Sequence, residues 1–544
     1  MIKYFATLLV MFFVAWPIFA ADLNGYTAQY ECRAGNSNCP VDVVTYSARA
    51  CDQNIAVSTA WASINWSNNT ICLEAGDHTA KGTLTIPSTA AGTEGNYKVL
   101  RYYRSGDTND EPWNQASPAT IKRLVVNTNY WIVHRIRVNG QTGDNEILGG
   151  GNILNRMLVE NSNGANVIAV VLGGSNDNWF QNGVVRTTSK NPGADQNCIA
   201  ITGRNYVINN ELYDCTDGVQ AWQNGPGAVA GTVVENNDFY TTAAYDSGPT
   251  ESCVENGLDW KTGGTLANPA KILHNRIWNF KANDTGCSAT GAAGDAIAMN
   301  AQVSGDVSYV LIQNNIVLSS YRGITTPNLG ANHLSIIGNL IYNIDSPFEP
   351  GPAMDMGACS DCETNLNTVI SAERAAWLDT NADFRCNVMI DIANAVSGTD
   401  SSGAQKDYNV YYNATNSGEI NNISKTLNTR TNSTAYFLNA ILRSATNGSC
   451  VNGTEEACFL YKVTVAGTSA GSAPSYCTTL GCTQTDGTLQ VQAVRGPYVF
   501  KRKLRTVAGG ETAVIPYARA HSSTPENGYC PSTTSNRPGV GVNG

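Results

Sequence analysis

An asparagine that recurs along the middle of the chain constrains the fold more than any other feature of the sequence. The segments WFQNGVV, VINNELY, ENNDFY, ILHNRIW, LIQNNIV and IIGNLIY each place an asparagine between apolar residues. These asparagines are Asn182, Asn210, Asn237, Asn275, Asn314 and Asn339, at intervals of 28, 27, 38, 39 and 25 residues. Asn155 in ILNRML and Asn387 in CNVMI extend the series in both directions. A fixed core motif whose spacing varies by insertion is typical of a solenoid with one coil per repeat.

The repeats favour β-strands over helices. Only 14% of the residues are charged, whereas a chain of long helices would be rich in Ala, Glu, Lys and Leu. The segments between the asparagines are short and β-rich, and they show no helical period. Asparagine suits a stacked bend because it tolerates left-handed backbone geometry and its amide can bond the amide of the next coil. The sequence therefore predicts an all-β protein built as a parallel β-helix.

A second repeated column lies 17 to 20 residues before the asparagine of each coil. Its members begin the motifs DGVQ, NGLD, DAIA and RGIT, at Asp217, Asn256, Asp295 and Arg322. Within NGLDWK, strand alternation buries Leu258 and Trp260 and places Asp259 and Lys261 together on the outer face. Neighbouring coils lie about 4.8 Å apart, so equivalent outward residues form a continuous surface. Gln220, Ala298 and Thr325 are the predicted equivalents of Asp259, and Trp222 and Asn300 those of Lys261.

The chain resembles the right-handed parallel β-helix polysaccharide lyases of the pectate-lyase-like superfamily over roughly residues 50 to 415. The resemblance is carried by INWSNNTICLEAGDHTAKGTLTIPS, YKVLRYY and YWIVHRIRV, followed by the asparagine-bend coils. It implies a right-handed, single-stranded helix with an N-terminal cap, for which AVSTAWASIN is the candidate, and an irregular C-terminal region. The predicted divisions are a signal peptide at 1–21, the N-terminal cap and first coils at 22–125, the β-helix core at 126–413, and a C-terminal cap or tail at 414–544. A separate small C-terminal domain is the lesser alternative.

The resemblance also implies a site. NGLDWK is similar to the Asp-Gly-apolar-x-x-Lys stretch of the family nine pectate lyases, with Asn256 where that pattern has an aspartate. It implies Lys261 as the catalytic base and Ca²⁺ held by Asp217, Asp259 and Asp295, with Glu255 as a further oxygen ligand. Column position alone makes Arg322 the candidate for binding the substrate carboxylate or acting as the acid. Trp222, Gln220, Asn300 and Tyr321 are the predicted substrate-binding residues.

These residue types suit β-elimination from a uronic-acid polymer. The reaction removes the proton beside the uronate carboxylate and expels the glycosidic oxygen, and a cation must neutralise the carboxylate. The insertions at 241–254 and 281–293 are predicted to form groove walls, pinned together by Cys253 and Cys287. The expected partner is an acidic polysaccharide. The formal net charge of −10 argues against a nucleic acid.

Two other functions fit the same sequence. An inverting glycoside hydrolase could use Asp217 and Asp295, which are two coils or about 9.6 Å apart, near the upper end of the roughly 6.5 to 9.5 Å used for inversion. The polygalacturonase-type motifs are absent, however, and none of the five histidines falls on the strip. A non-catalytic carbohydrate-binding surface protein or adhesin could stack sugars on Trp222, Trp260 and Tyr321.

The first residues and the cysteines predict export. MIKYFATLLVMFFVAWPIFAAD has the layout of a secretory signal peptide with no stop-transfer pattern, so no membrane span is expected. Sixteen cysteines without paired metal-site spacings favour disulfides, including at CSDC. The expected form is a secreted, extracellular or periplasmic monomer.

Overall fold

The computed structural model describes the β-helical part of the chain almost continuously and the C-terminal part in pieces. The described residues are 27–103, 111–162, 167–173, 177–186, 196–222, 225–242, 254–281, 294–303, 306–327, 330–346, 351–357, 359–378, 382–385, 387–397, 405–407, 409–414, 423–425, 428–429, 431–436, 441–443, 459–476, 482–495, 502–503 and 514–515. The predicted signal peptide at 1–21 lies outside them.

Three parallel sheets run along the molecule, and each coil contributes one strand to each sheet. The first sheet contains Gln53–Ile55, Thr70–Glu74, Lys98–Tyr103, Trp131–His134, Ile153–Asn155, Asn178–Gln181, Asn205–Ile208, Val233–Glu235, Ala270–Leu273, Ser308–Gln313, Ala331–Ile337, Cys359–Ser360, Glu363–Asn365, Asp383–Arg385 and Gln405–Asp407. The second contains Gly76–Asp77, Ala119–Ile121, Arg137–Asn139, Leu158–Glu160, Val184–Arg186, Glu211–Tyr213, Asp238–Tyr240, Arg276–Trp278, Ile316–Leu318, Leu340–Ile344, Val410–Ala414 and Ile423–Lys425.

The third sheet carries the residues of the second repeated column. It contains Thr83–Ile86, Arg123–Val126, Glu146–Ile147, Val170–Leu172, Ile199–Ile201, Asp217–Ala221, Asn256–Trp260, Asp295–Met299, Arg322–Thr325 and Pro352–Met356. Two long strands, Thr368–Leu378 and Val388–Ser397, continue both the second and the third sheets. All pairings in the three sheets are parallel, so the predicted all-β parallel β-helix is confirmed.

The interior of the coils is a single apolar column. Strand alternation sends one set of side chains inward, and residues such as Leu154, Phe180, Val207, Val234 and Ile272 are buried in one continuous cluster. Their burial supplies most of the apolar area that leaves water on folding.

An asparagine ladder closes the bend between the first and second sheets. Its members are Asn210, Asn237, Asn275, Asn315, Asn339, Asn367, Asn387 and Asn409. The Asn275 Nδ2 atom, for example, donates to Asn315 Oδ1 at 3.0 Å and to the Val234 carbonyl at 2.9 Å. Each side-chain amide thus forms hydrogen bonds with polar groups of the neighbouring coils. These bonds satisfy polar atoms in a bend that is buried.

The predicted asparagine column combined two neighbouring columns. Asn182 and Asn314 have φ angles of 54° and 56° and lie one residue before the ladder, where the backbone is left-handed. The ladder member of the Asn314 coil is Asn315, and Gly183 takes the equivalent position in the Asn182 coil. Asn155 pairs with Gln181 within the first sheet and is not in the ladder. The two predicted roles of asparagine, left-handed backbone geometry and hydrogen bonding to the next coil, therefore belong to two adjacent positions.

The N-terminal residues lie along the outside of the first sheet. Residues 28–47, here called the N-terminal strap, include the α-helix Val43–Ser47, and their apolar side chains pack on outward residues of several coils. AVSTAWASIN, the predicted cap, forms only a short 3₁₀ helix, Trp61–Ser63. Ile64, Trp61 and Trp66 pack against the apolar interior. Two more 3₁₀ helices are Thr79–Lys81 and Ser88–Ala90.

The C-terminal region forms a mostly antiparallel sheet with its own apolar cluster. The sheet contains Asn428–Thr429, Ile441–Arg443, Phe459–Val465, Thr483–Asp486 and Leu489–Arg495. Two small antiparallel pairs are Ala435–Tyr436 with Gly467–Thr468, and Arg502–Lys503 with Val514–Ile515. Tyr461, Val463, Leu489 and Val491 are fully buried within the cluster.

The described cysteines include four complete disulfides. They are Cys32–Cys39, Cys51–Cys72, Cys198–Cys215 and Cys359–Cys362. The CSDC motif thus holds a disulfide, as predicted. Cys253 and Cys287 lie outside the described residues. In the part of the chain that the structure describes, no helix is both long and apolar enough to span a membrane.

Candidate active site on the third sheet

The strand register of the third sheet matches the predicted columns residue by residue. Asp217 pairs with Asn256, Asn256 with Asp295, and Asp295 with Arg322. Gln220, Asp259, Ala298 and Thr325 form the next outward column. The polar residues of these two columns, together with Lys261, are called the polar strip below.

A column of small residues gives the polar strip its geometry. A Cβ atom added to Gly218 would lie 2.5 Å from the Gly257 carbonyl oxygen and 2.6 Å from the Phe239 ring. A Cβ atom at Gly257 would lie 2.5 Å from the Ala296 carbonyl oxygen. Asp217 and Gln220, before and after Gly218, come into contact through a hydrogen bond of 3.3 Å. The small residue of each motif is therefore a steric requirement of the close stacking.

A hydrogen-bonded network joins the first half of the polar strip. Gln220 Nε2 donates to Asp259 Oδ2 at 3.0 Å and to Asp217 Oδ2 at 3.3 Å. Lys261 Nζ lies 3.0 Å from the same Asp259 oxygen. Asp217 and Asp259 are 0% and 1% exposed, whereas the Lys261 side chain is 21% exposed. The predicted pairing of Asp259 with Lys261 is present, and only the lysine reaches the surface.

Asp295 differs from the other two aspartates in its surroundings. Its side chain is buried, and its Oδ1 atom accepts no hydrogen bond from the described residues. Burial raises the pKa of Asp295 from 3.8 to about 6; the guanidinium of Arg322 and the hydroxyl of Thr325 oppose this rise, and the carboxylates of Asp355 and Asp259 add to it. A carboxyl group with this pKa holds its proton in a fraction of molecules near neutral pH, as a general acid requires.

The structure places the other predicted site residues around the polar strip. Trp222 is 51% exposed, and its ring centroid is 5.9 Å from Lys261 Nζ. Asn300, Tyr321 and Glu255 are half-buried and lie next to strand residues of the third sheet. Gln220, by contrast, is 1% exposed, and its amide binds protein carboxylates. A direct substrate contact by Gln220 stays a prediction, whereas its contacts with Asp217 and Asp259 are present.

Sequence reasoning missed two residues that act on the polar strip, Asn197 and Asp355. Asn197 Nδ2 donates to Gln220 Oε1 at 2.8 Å and thereby orients the Gln220 amide. Thr325 pairs with Asp355 across the sheet, and both influence the pKa of Asp295. The motif PAMD at 352–355 continues the small-residue column and could have identified Asp355. Asn197 precedes its strand, and the pairing of Ile199 with Val219 makes it the equivalent of Asp217 one coil earlier.

The predicted calcium ligands do not converge. Among the described residues, no three His, Cys, Asp or Glu side chains gather as a group that could hold a metal ion. Both Asp217 oxygens and Asp259 Oδ2 accept hydrogen bonds from protein groups. Ca²⁺ takes six to eight oxygen ligands, and the fully buried carboxylate oxygens of the strip that accept no hydrogen bond from the described residues are Asp259 Oδ1 and Asp295 Oδ1. The donor set of the described residues therefore does not fit calcium, and calcium dependence stays a prediction.

The predicted groove walls fall largely outside the described residues. Residues 243–253 and 282–293, which make up most of the two insertions, are not among them. The described ends of both insertions adjoin the third sheet, at Val254 and Gly294.

No family model matches the sequence, and no curated protein is detectably similar to it. Among solved structures, a PL6 alginate lyase in complex with a trisaccharide is 11% identical, with a TM-score of 0.40, covering 70% of this chain and 82% of that one. A mannuronan C-5 epimerase A-module of Azotobacter vinelandii is 11% identical, with a TM-score of 0.31, covering 66% and 91%. The Dettilon tailspike protein is 10% identical, with a TM-score of 0.33, covering 86% and 91%. At these values the similarity concerns the fold alone.

Proposed function

We propose that the protein is a polysaccharide lyase that cleaves a uronic-acid-containing polymer by β-elimination at the polar strip. The observation that carries this proposal is the contact between Lys261 and the buried Asp259, 3.0 Å apart, on a strip that also holds Asp295 and Arg322. A cationic group at the surface, backed by buried carboxylates, suits a substrate that is itself an anion.

Lys261 is the proposed base. A carboxylate at 3.0 Å stabilises the ammonium form of lysine, whereas proton abstraction needs the free amine. Exclusion of water by the bound polymer disfavours a charged pair more than a neutral one. In the proposed step the amine form of Lys261 takes the proton beside the uronate carboxylate. The electron pair released forms the carbon–carbon double bond as the glycosidic carbon–oxygen bond breaks, and the leaving oxygen takes up a proton from water.

Arg322 is proposed to bind the substrate carboxylate or to protonate the leaving oxygen. Its strand is adjacent to that of Asp295, and its guanidinium acts on that carboxyl group. A guanidinium stays charged at all working pH values and can bind a carboxylate through two parallel hydrogen bonds. These properties favour carboxylate binding as its main role. Trp222 lies at the exposed edge, where its ring can stack on a sugar.

An inverting hydrolase is the second candidate, and Asp295 favours it. A carboxyl group with a pKa of about 6 can protonate a glycosidic oxygen, and a second carboxylate can activate water. Asp217, the partner expected from column spacing, has both oxygens bound to amide groups. Asp259 Oδ1 accepts no hydrogen bond from the described residues and is the better base on this strip.

One experiment separates the candidates. The purified protein is incubated with pectate, alginate, a glycosaminoglycan and a bacterial exopolysaccharide, and ultraviolet absorbance and new reducing ends are measured on each sample. An absorbance rise from unsaturated uronate together with reducing ends supports the lyase. Reducing ends without absorbance would assign a hydrolase. Binding without either signal would contradict both and leave a carbohydrate-binding surface protein.

A further inference from the structure

The aspartates of the polar strip receive hydrogen bonds from side-chain amides at the positions where a cation would otherwise offset their charge. Asp217 Oδ1 accepts from the backbone N–H and the Nδ2 atom of Asn256, at 3.1 and 3.0 Å. Its other oxygen accepts from Gln220 Nε2. The charge of this fully buried carboxylate is thus stabilised by three N–H donors from two residues.

Asp259 is neutralised in a related way. Its Oδ2 atom accepts from the same Gln220 amide and lies 3.0 Å from the Lys261 ammonium. The Gln220 amide in turn is oriented by Asn197 at 2.8 Å, so its donor side faces the two carboxylates. Buried charges are stable only when paired and hydrogen-bonded, and in this network amides and an ammonium provide that pairing.

We infer that the polar strip is built to work without a bound divalent cation, with the amides of Asn256 and Gln220 and the ammonium of Lys261 in its place. Asn256 is the deciding residue because it donates where an aspartate would only accept. The inference concerns the same strip as the proposed lyase activity, but it predicts that the strip binds no divalent cation and so can fail or hold independently of that activity.

Asn256→Asp tests this inference with an isosteric change. It replaces the amide donor with a second carboxylate beside Asp217, and two buried carboxylates in contact require a cation or a proton. The wild type is expected to unfold at the same Tm in calcium and in chelator, with no binding heat in a calcium titration. The Asn256→Asp variant is expected to unfold at lower temperature in chelator and to regain about 2 °C or more with calcium.

Asn139→Asp is the matched control. Asn139 is on the outer face of the second sheet, where its side-chain Oδ1 atom accepts a hydrogen bond from Asn161 Nδ2. The same change of asparagine to aspartate at this position should produce no calcium response. If Asn256→Asp does not fold, Gln220→Glu makes the same exchange of donor for acceptor between Asp217 and Asp259. A wild-type calcium response that Asp217→Asn abolishes would overturn the inference. So would folded Asn256→Asp and Gln220→Glu variants that gain no response to calcium.

Discussion

The same coils form the outer faces of the first and third sheets, but the two faces differ in what covers their outward side chains. On the first sheet, the N-terminal strap covers outward apolar residues such as Val99, Ile132 and Ile153, with Val43 among the covering side chains. Its buried carboxylate, Glu235, accepts the backbone N–H groups of Gln29 and Tyr30 at 3.0 Å each. The N-terminal strap therefore covers this part of the first sheet.

The third sheet also buries carboxylates, but it leaves some of their oxygens unbonded. Asp259 Oδ1 and Asp295 Oδ1 are buried without a hydrogen-bond donor among the described residues. Buried polar atoms in native proteins are nearly always paired, and exceptions concentrate where a ligand or a proton completes the site. The Ser335 hydroxyl on the first sheet is likewise buried without a hydrogen-bond partner among the described residues, so the difference between the faces lies in their covering: the N-terminal strap covers part of the first sheet. We propose the third sheet as the functional face.

Lys261→Ala should produce the largest effect and tests that assignment directly. Removing a catalytic base lowers the rate by about 10² to 10⁴-fold, so product formation on the responsive polymer should fall by that factor. Lys271 is the matched control, because it lies on the first sheet and its Nζ atom is 2.7 Å from the Tyr30 hydroxyl.

Lys271→Ala should retain wild-type activity under the same conditions. Equal losses in both variants would mean that the lysines act through the fold, and would remove the distinction between the two faces. Full activity in Lys261→Ala would exclude Lys261 as the base.

Asp295→Asn should raise stability near neutral pH. The pKa of Asp295 is raised from 3.8 to about 6, so the folded state favours the neutral form. Below pH 4 the group is protonated in both states and contributes nothing, and stability falls as the pH rises from about 4 to 6. The full loss above pH 6 corresponds to about 3 kcal/mol.

Urea unfolding of wild type and Asp295→Asn at pH 4, 5, 6 and 7 measures this effect. The free energy of unfolding of the variant should exceed that of the wild type by an amount that grows across this range. A difference that stays constant with pH would show that Asp295 does not titrate there. If Asp295 is the general acid of a hydrolase, the variant also loses activity while it gains stability.

The columns of the third sheet were predictable because sterics constrain them. Close stacking requires a small residue at Gly218 and Gly257, so the motifs align without ambiguity and the register follows. The asparagine bend was predicted less well, because consecutive residues such as Asn314 and Asn315 satisfy the left-handed position and the ladder position equally in sequence.

The partners of the site residues and the N-terminal strap could not be predicted in the same way. A motif marks Asp217 and Asp259 as carboxylates near each other, but it does not show that Gln220 bonds both. The strap has no repeat, and its contact with Glu235 joins residues about 205 positions apart. Such contacts depend on the assembled coils and leave no periodic signal in the sequence.

Glu235→Gln should have the smallest effect of the three and the opposite sign to Asp295→Asn. The amide offers one neutral oxygen where the carboxylate offers two charged ones, so one of the backbone N–H groups of Gln29 and Tyr30 keeps an acceptor and the other loses it. Hydrogen bonds to charged groups contribute about 1.5 to 3 kcal/mol, and we expect a loss near the lower end because one acceptor remains.

The measurement is urea unfolding together with hydrogen exchange at the Gln29 and Tyr30 amides, which should exchange faster in the variant. Glu146→Gln is the control, because Glu146 is paired with Arg123 at the surface, where such pairs contribute little. Activity should be unchanged in both variants. A stability gain in Glu235→Gln would show that this buried carboxylate is strained like Asp295. Glu235 would then not distinguish the first sheet from the third, and the contrast would have to rest on Lys261 alone.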